Sequence, residues 1–263
     1  MDRRRLWRRI RRVWITVGLS ATVVFAIWSL IAYRASPAAR SALVSDSAVA
    51  VGYSDGVRSF VPRQAASAGT PALVFFPGAL VDPVAYAPLV RAAASAGYPS
   101  YIIELPRRGA LGGADDPAVD ERLDRLLAAS STPRRWLIAG HSRGAVVASR
   151  IASERRTGFT GLVLIGTTHP RDVDLSTLAV PVTKVAGTRD GLASRTAVEA
   201  NRTKLPAATR WVWIEGGNHS QFGWYGFQPG DRRATISAAT QRTTMTQAVI
   251  DALAHAANRA PAS

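Results

Sequence analysis

The sequence contains no cysteine among its 263 residues. Disulfide bonds, thiolate metal sites and a cysteine nucleophile are therefore excluded. Lysine is scarce as well, since almost all of the 33 basic residues are arginine. The chain also shows no internal repeat and no low-complexity tract. Its length suffices for one well-buried α/β domain, which needs no disulfide bonds to fold.

Acidic residues are outnumbered by basic ones, and the formal net charge is +15. Residues 1–12 contain seven arginines and one aspartate and contribute +6, which leaves +9 for the rest of the chain. This charge could favour anionic surfaces such as lipid headgroups or acidic envelope polymers. The arginine- and alanine-rich composition also suits a GC-rich bacterial genome, and we prefer that explanation. Because no motif of basic and aromatic residues accompanies the charge, we expect no nucleic-acid partner.

Charge is absent from the stretch between Val13 and Tyr33. As a helix, these 21 residues span roughly 31 Å, which matches a hydrocarbon core of about 30 Å. Aromatic residues lie toward its ends, where amphipathic rings prefer the membrane interface. The positive-inside rule then predicts a cytoplasmic Arg-rich tail at 1–12, a transmembrane anchor at 13–33 and an extracytoplasmic remainder. Residues 34–45 are small and polar, and we interpret them as a linker.

A cleavable signal peptide is the alternative interpretation of the same N-terminal segment. Its apolar core would be about 7–15 residues long, shorter than the stretch observed, and Ser36-Pro37-Ala38 is a poor cleavage site. We therefore expect a single-pass protein of the cell membrane whose N-terminus is cytoplasmic. A secreted product is the alternative, and both interpretations place the rest of the chain outside the cytoplasm.

Residues 46–258 show the pattern of an α/β domain. An opening hairpin is predicted at Ser47–Tyr53 and Val57–Arg63, and buried-type strands then alternate with helices. The predicted strands are Ala72–Phe76, Ser100–Leu105, Trp136–Ala139, Gly161–Gly166, Val180–Ala186 and Arg210–Glu215, and the predicted helices are Pro83–Ala96, Val119–Ala129, Arg195–Lys204 and Arg233–Ala256. This alternation predicts a mostly parallel central sheet with helices on both faces. The short connection before Val180 leaves no room for a large lid domain.

The most informative motif is Gly140-His141-Ser142-Arg143-Gly144, which follows a strand and runs directly into a helical stretch. A serine at a sharp strand-to-helix turn is exposed as a nucleophile, and the helix N-terminus behind it favours developing negative charge. Glycines two positions on either side suit the crowding of such a turn. Ser142 is therefore the candidate nucleophile, and we expect the side chain of His141 to serve a packing role.

A serine nucleophile requires a general base, and His219 is the leading candidate among the four histidines. It lies in a tight loop directly after the last predicted strand, and loops at the carboxyl ends of parallel strands converge on one crevice. His169, which follows an earlier strand, is a minor candidate. We expect His255, in the closing helix, to be packed or solvated.

The base requires an acid that fixes its tautomer, and Asp190 is the leading candidate. It also follows a strand, and it completes the chain order Ser…Asp…His that is typical of α/β hydrolases. Asp172 and Asp174 follow the preceding strand and are geometrically possible substitutes.

The tetrahedral intermediate requires preorganised N–H donors. One should be the backbone N–H of Arg143, directly after the nucleophile. The other should come from the loop after the Ala72–Phe76 strand, where Gly78 lets the backbone approach the substrate. We nominate the N–H of Ala79, with that of Leu80 as the alternative.

Four ordered segments carry a family resemblance: FFPGALVDPVAYAPL, AGHSRGA, AGTRDGLAS and EGGNHSQFGWYGFQPGD. From about residue 46 to 258 the chain resembles the α/β-hydrolase superfamily, and more narrowly its lid-poor "family five" branch, which is related to dienelactone hydrolases. The resemblance implies the α/β-hydrolase fold and the assignment of Ser142, Asp190 and His219, but no particular substrate. Dienelactone hydrolases use a cysteine nucleophile, and the serine here therefore does not support dienelactone substrates.

Aromatic residues after His219 belong to the same resemblance. Phe222, Trp224 and Tyr225 could line the substrate pocket together with Leu80, or they could pin the histidine loop to the core. The residues alone leave these two roles open.

The sequence thus predicts a membrane-anchored, extracytoplasmic serine hydrolase that acts on carboxylic esters or related acyl compounds through an acyl-enzyme. An acyltransferase with the same triad and a catalytically idle binding module are the alternatives. We expect a small-molecule or lipid-like acyl substrate, no cofactor and no metal.

Overall fold

In the computed structural model, eight strands of the described residues form one sheet in the order β1-β2-β4-β3-β5-β6-β7-β8. The described residues are 3–65, 67, 69–129, 135–155 and 158–258. The strands are β1 (Val49–Ser54), β2 (Val57–Pro62), β3 (Pro71–Phe76), β4 (Ser100–Ile103), β5 (Arg135–His141), β6 (Phe159–Ile165), β7 (Val182–Gly187) and β8 (Arg210–Ile214). The helices are α1 (Arg3–Ala32), α2 (Pro37–Ser41), α3 (Ala87–Ser95), α4 (Pro117–Ala128), α5 (Arg143–Glu154), α6 (Arg195–Glu199) and α7 (Ala238–Asn258).

The sheet is mostly parallel, as predicted. Strand β1 pairs with β2, and β2 with β4, in antiparallel fashion, whereas every pair from β4 to β8 is parallel. The chain passes from β3 to β4 on one side and then to β5 on the other. The carboxyl ends of β3 and β5 therefore flank a topological switch point, where ligands bind in open α/β sheets.

The core consists of two apolar layers, one on each face of the sheet, which confirms the prediction of helices on both faces. Strand β3 is buried at all six positions. Because side chains alternate along a strand, Leu73 and Phe75 pack on the α3 and α7 side. Val74 and Phe76 pack on the opposite side, against α4 and α5. Such burial on both faces explains the uninterrupted apolar run in the sequence.

Several helix boundaries differ from the prediction for local reasons. The closing helix begins at Ala238 rather than Arg233, because the Ser237 hydroxyl accepts the N–H of Thr240 and caps the helix there. The predicted helix at Pro83–Ala96 begins with a 3-10 turn, and the one at Arg195–Lys204 ends with one. Residues 166–181, between β6 and β7, contain no helix or strand, in keeping with the absence of a lid there.

The N-terminal helix α1 is long and apolar enough to cross a membrane over Arg3–Ser29. The segment predicted as a linker, 34–45, is folded against the domain rather than extended. It contains the short helix α2, whose N-cap is Ser36, and Ala35 and Ala39 are buried. The N–H of Ser36 donates to the carbonyl of Trp224 at 2.8 Å. The residues that directly follow α1 thus already pack against the domain.

Candidate active site

The turn between β5 and α5 has the geometry of a nucleophile elbow. Ser142 has φ 52° and ψ −115°, a left-handed conformation that is costly for a residue with a side chain. Its N–H donates to the carbonyl of Ile165 at 2.9 Å. A Cβ at Gly140 would lie 2.3 Å from the backbone of Gly144, and one at Gly144 would lie 1.9 Å from the carbonyl oxygen of Phe76. Both glycines are therefore required by close backbone approach.

The loops after β7 and β8 bring together Asp190 and His219. The Nδ1 atom of His219 lies 2.9 Å from Oδ2 of Asp190, and both side chains are buried. The other oxygen of Asp190, Oδ1, accepts the N–H groups of Leu192 at 2.8 Å and Ala193 at 2.6 Å. The carboxylate is therefore held in one orientation, with one oxygen committed to the imidazole.

The remaining nitrogen of His219, Nε2, is buried and has no hydrogen-bond partner within the described ranges. The ring of His219 lies 4.6 Å from the ring of His141, centroid to centroid. The ring of His219 therefore contacts the residue that directly precedes Ser142, although no hydrogen bond joins Nε2 to Ser142 among the described residues. A base with its Nδ1 proton fixed by a carboxylate and its Nε2 unoccupied can take a proton from a hydroxyl group.

Asp231 also contributes to the site, and nothing in the sequence analysis above assigned it a role. Its carboxylate accepts the backbone N–H of His219 at 3.2 Å and that of Ser220 at 2.8 Å. It also accepts the Ser220 hydroxyl at 2.6 Å and the N–H of Gly191 at 3.0 Å. Asp231 thereby joins the loop of the base to the loop of the acid. The signal available was its position at the end of the EGGNHSQFGWYGFQPGD segment.

The loop after β3 distinguishes between the two candidate oxyanion donors. The N–H of Leu80 donates to the carbonyl of Arg108 at 2.7 Å and is therefore already used. For the N–H groups of Ala79 and Arg143, the described residues provide no acceptor. Because Phe76 at the end of β3 is in register with Gly140 of β5, this loop lies beside the elbow. The geometry therefore favours Ala79 and Arg143 as the two donors.

His141 is buried, as expected for a packing residue, but it also takes part in a hydrogen-bonded pair. Its Nδ1 lies 2.7 Å from the hydroxyl of Tyr86, and that hydroxyl accepts the N–H of Gly78 at 3.2 Å. Burial lowers the pKa of His141 well below its ordinary value and raises the pKa of the Tyr86 phenol, so both groups are neutral at pH 7. Tyr86 thus connects the loop after β3 to the elbow, a role that the sequence did not reveal.

The alternative candidates lie in other surroundings. His169 pairs with the exposed Asp172, whose Oδ2 is 3.4 Å from its Nε2, and Asp174 accepts a backbone N–H in its own turn. The ammonium group of buried Lys184 donates to the carbonyl of His169, and burial lowers the lysine pKa to about 7. His255 is exposed on α7. Within the described ranges, no group of three or more His, Asp or Glu could hold a metal ion.

The aromatic residues after His219 act mainly as packing groups. Phe222 is fully buried with its ring 5.6 Å from that of His141, and Tyr225 is buried with its ring 6.4 Å from that of Tyr86. Trp224 is half-buried, and its backbone N–H donates to the carbonyl of Ala85 at 2.9 Å. This placement indicates that the three aromatic residues hold the loop of His219 against the core rather than line a substrate pocket. The side chain of Leu80, by contrast, is exposed.

Comparison with protein families finds that the profile of the alpha/beta hydrolase family matches residues 72–243 of this chain. No curated protein matches the sequence significantly.

Solved structures share the fold at low sequence identity. A dienelactone hydrolase-like protein from Klebsiella pneumoniae is 15% identical, with a TM-score of 0.57 over 79% of this chain and 99% of its own. The Thermus thermophilus protein TT1662 is 16% identical, with a TM-score of 0.55 over 81% of this chain and 99% of its own. An alpha-beta serine hydrolase homologue from Coxiella burnetii is 13% identical, with a TM-score of 0.53 over 79% of this chain and 98% of its own.

Proposed function

This chain belongs to the alpha/beta hydrolase family, and we propose that it is a membrane-anchored serine hydrolase acting on carboxylic esters or related acyl compounds. The observation that carries the proposal is the buried pair of His219 and Asp190, in which Nε2 of His219 has no partner among the described residues and the imidazole ring contacts His141, the residue before Ser142. A buried, oriented imidazole with one unoccupied nitrogen has little structural purpose at that position, whereas a general base needs both features.

The proposed reaction begins when the Ser142 hydroxyl attacks the acyl carbon and passes its proton to Nε2 of His219. Asp190 accepts the Nδ1–H and stabilises the imidazolium that forms. The N–H groups of Ala79 and Arg143 stabilise the oxyanion, a contribution of about 3 kcal/mol for each donor in related chemistry. His219 then gives the proton to the departing alcohol, and an acyl-enzyme remains. Water, activated by the same imidazole, releases the acid and restores Ser142.

Retention of the N-terminal helix is supported by the packing of the residues that directly follow it. Tyr33 and Ala35 are buried, and the carbonyl of Tyr33 accepts the N–H of Asp82 at 2.9 Å. Cleavage near residue 38 would remove both buried residues, which is costly for a folded domain. With the arginines of residues 1–12 on the cytoplasmic side, the positive-inside rule directs the catalytic domain to the extracytoplasmic side.

The test is replacement of the nucleophile, Ser142→Ala, in the full-length protein. We expect hydrolysis of p-nitrophenyl acetate to fall by about 10⁴-fold or more and covalent labelling by a fluorophosphonate to disappear. The matched control is Ser149→Ala, which removes a buried hydroxyl from the same helix, α5, and should keep both signals. Labelling that survives in Ser142→Ala, or that is lost in both variants, would contradict the assignment.

A further inference from the structure

Exposed apolar side chains concentrate at the edge of the sheet that carries the site. After α1, the described residues include six exposed large apolar side chains, and four of these lie on loops that follow strands at the carboxyl edge. They are Leu80 after β3, Leu111 after β4, Leu192 after β7 and Phe227 after β8. Leu111 is 89% exposed, and Phe227 is 47% exposed. We refer to these four side chains as the apolar rim.

The end of α1 is attached to the same edge of the domain. The carbonyl of Ala32 accepts the N–H of Gly226 at 2.8 Å, and the carbonyl of Tyr33 accepts the N–H of Asp82 at 2.9 Å. Gly226 lies in the loop after β8 and Asp82 in the loop after β3, so both of these loops also carry members of the apolar rim. The N–H of Ala35 adds a bond to the carboxylate of Asp82 at 3.2 Å. The membrane helix is therefore joined to the loops that surround the site.

The length of the uncharged stretch fixes how close this edge lies to a bilayer. The 20 helical residues from Val13 to Ala32 span roughly 30 Å, about the thickness of the hydrocarbon core, so all of them are needed to cross it. The domain nevertheless buries Ser29 and Tyr33, near the end of that stretch. A surface in contact with these residues must lie in the headgroup region. The exposed Arg34 follows directly and suits anionic headgroups.

We propose that the apolar rim rests on the outer surface of the bilayer that holds α1, and that the substrate is an acyl ester of a lipid resident in that bilayer. This inference rests on the proposed hydrolase function and on a retained anchor. The lipid acyl group is transferred to Ser142 as the ester C–O bond breaks, and the lipid alcohol leaves with the proton from His219. Water then releases a fatty acid.

Docking is tested first by a measurement that does not depend on activity. Because the chain lacks cysteine, Leu111→Cys can be labelled at one position with bimane in the full-length protein. The protein is reconstituted into vesicles of phosphatidylcholine and phosphatidylglycerol that carry doxyl-labelled lipid. The control is Val44→Cys, because Val44 is exposed but precedes β1, which starts at the opposite edge of the sheet.

We expect doxyl lipid to quench the label at position 111 at least about threefold more than the label at 44. Equal quenching at the two positions would overturn the docking proposal, even if the protein hydrolyses soluble esters. Stronger quenching at 111 together with no ester hydrolysis would support docking and contradict the proposed function, so the two failures are distinguishable.

The substrate class is tested by Leu111→Asn combined with Phe227→Ser. Asparagine tolerates the left-handed backbone at this position, where φ is 46°, so the loop should keep its conformation. We expect turnover of p-nitrophenyl acetate to stay within about twofold, and hydrolysis of a fluorogenic long-chain diacylglycerol in the vesicles to fall at least about tenfold. Val44→Ser should leave both rates unchanged. Equal losses on the two substrates, or no loss on the lipid, would overturn the proposal.

Discussion

The His219 side and the Ser142 side of the site are ordered by different interactions. On the His219 side, side-chain carboxylates order the loops: Asp190 accepts two backbone N–H groups besides the imidazole, and Asp231 accepts four backbone N–H groups. On the Ser142 side, backbone geometry orders the turn: Ser142 has a positive φ, and the glycines on either side allow close contact between backbone segments. A change of charge should therefore damage one side, and a change of volume should damage the other.

The largest effect is expected from Asp190→Asn, which removes the negative charge beside His219 but keeps the size and shape of the side chain. The amide can still accept backbone N–H groups, but it cannot stabilise an imidazolium, so kcat should fall by about 10⁴-fold. Thermal unfolding followed by circular dichroism should show a small change in Tm. Asp172→Asn, which alters the exposed carboxylate beside His169, is the control and should behave as wild type. A kcat within tenfold of wild type would show that another acid serves His219.

The Ser142 side should respond instead to one added methyl group, in Gly144→Ala. The new Cβ would lie 1.9 Å from the carbonyl oxygen of Phe76 and 2.5 Å from that of Pro77, so the turn must move. We expect a loss of about 3 kcal/mol in the free energy of unfolding, because overpacking forces backbone shifts. A displacement of about 1 Å at Ser142 should also lower kcat/KM by about 100-fold.

The control for that variant is Gly18→Ala, since a Cβ at Gly18 in α1 meets nothing within 4 Å. Urea unfolding and ester hydrolysis should be unchanged in this control. If Gly144→Ala kept full stability and activity, the distinction between a side ordered by charge and a side ordered by volume would fail.

The same distinction explains which parts of the site could be predicted from sequence. The strands appear as apolar runs, and the elbow as glycines around Ser142, because both depend on local backbone requirements. The pairing of Asp190 with His219 could be inferred because parallel strands bring their carboxyl ends together. These features need no knowledge of distant side-chain contacts.

The unpredicted features all depend on contacts between distant segments. The bond from Tyr86 to His141 joins residues 55 positions apart, and no local pattern distinguishes Tyr86 from an ordinary core aromatic. In the sequence, Asp231 resembles any acidic loop residue, and only the fold brings its carboxylate to the backbone of His219. Likewise, 34–45 has the composition of a linker, and only the burial of Ala35 and Ala39 and the bond of Ser36 to Trp224 show that part of it packs on the domain.

The smallest effect is expected from Tyr86→Phe, which removes the hydroxyl that bonds both Gly78 and His141. The ring should stay packed against Phe75, at 4.9 Å between centroids, while the N–H of Gly78 and Nδ1 of His141 lose their shared hydroxyl. Leaving buried polar groups unpaired should cost about 1–3 kcal/mol of unfolding free energy. Since Gly78 precedes Ala79, the proposed oxyanion donor, we expect kcat to fall about tenfold while KM changes little.

Tyr53→Phe is the matched control, because it removes an exposed hydroxyl that lies 3.3 Å from Glu104, and it should change neither quantity. Separate determination of kcat and KM distinguishes positioning from simple stabilisation. A loss of stability with unchanged kcat would show that the bond only supports the core. A fall in kcat would show instead that the Ser142 side also depends on one side-chain hydroxyl, which orders the loop of the proposed oxyanion donor. The two sides would then be mechanically coupled through Tyr86 and His141.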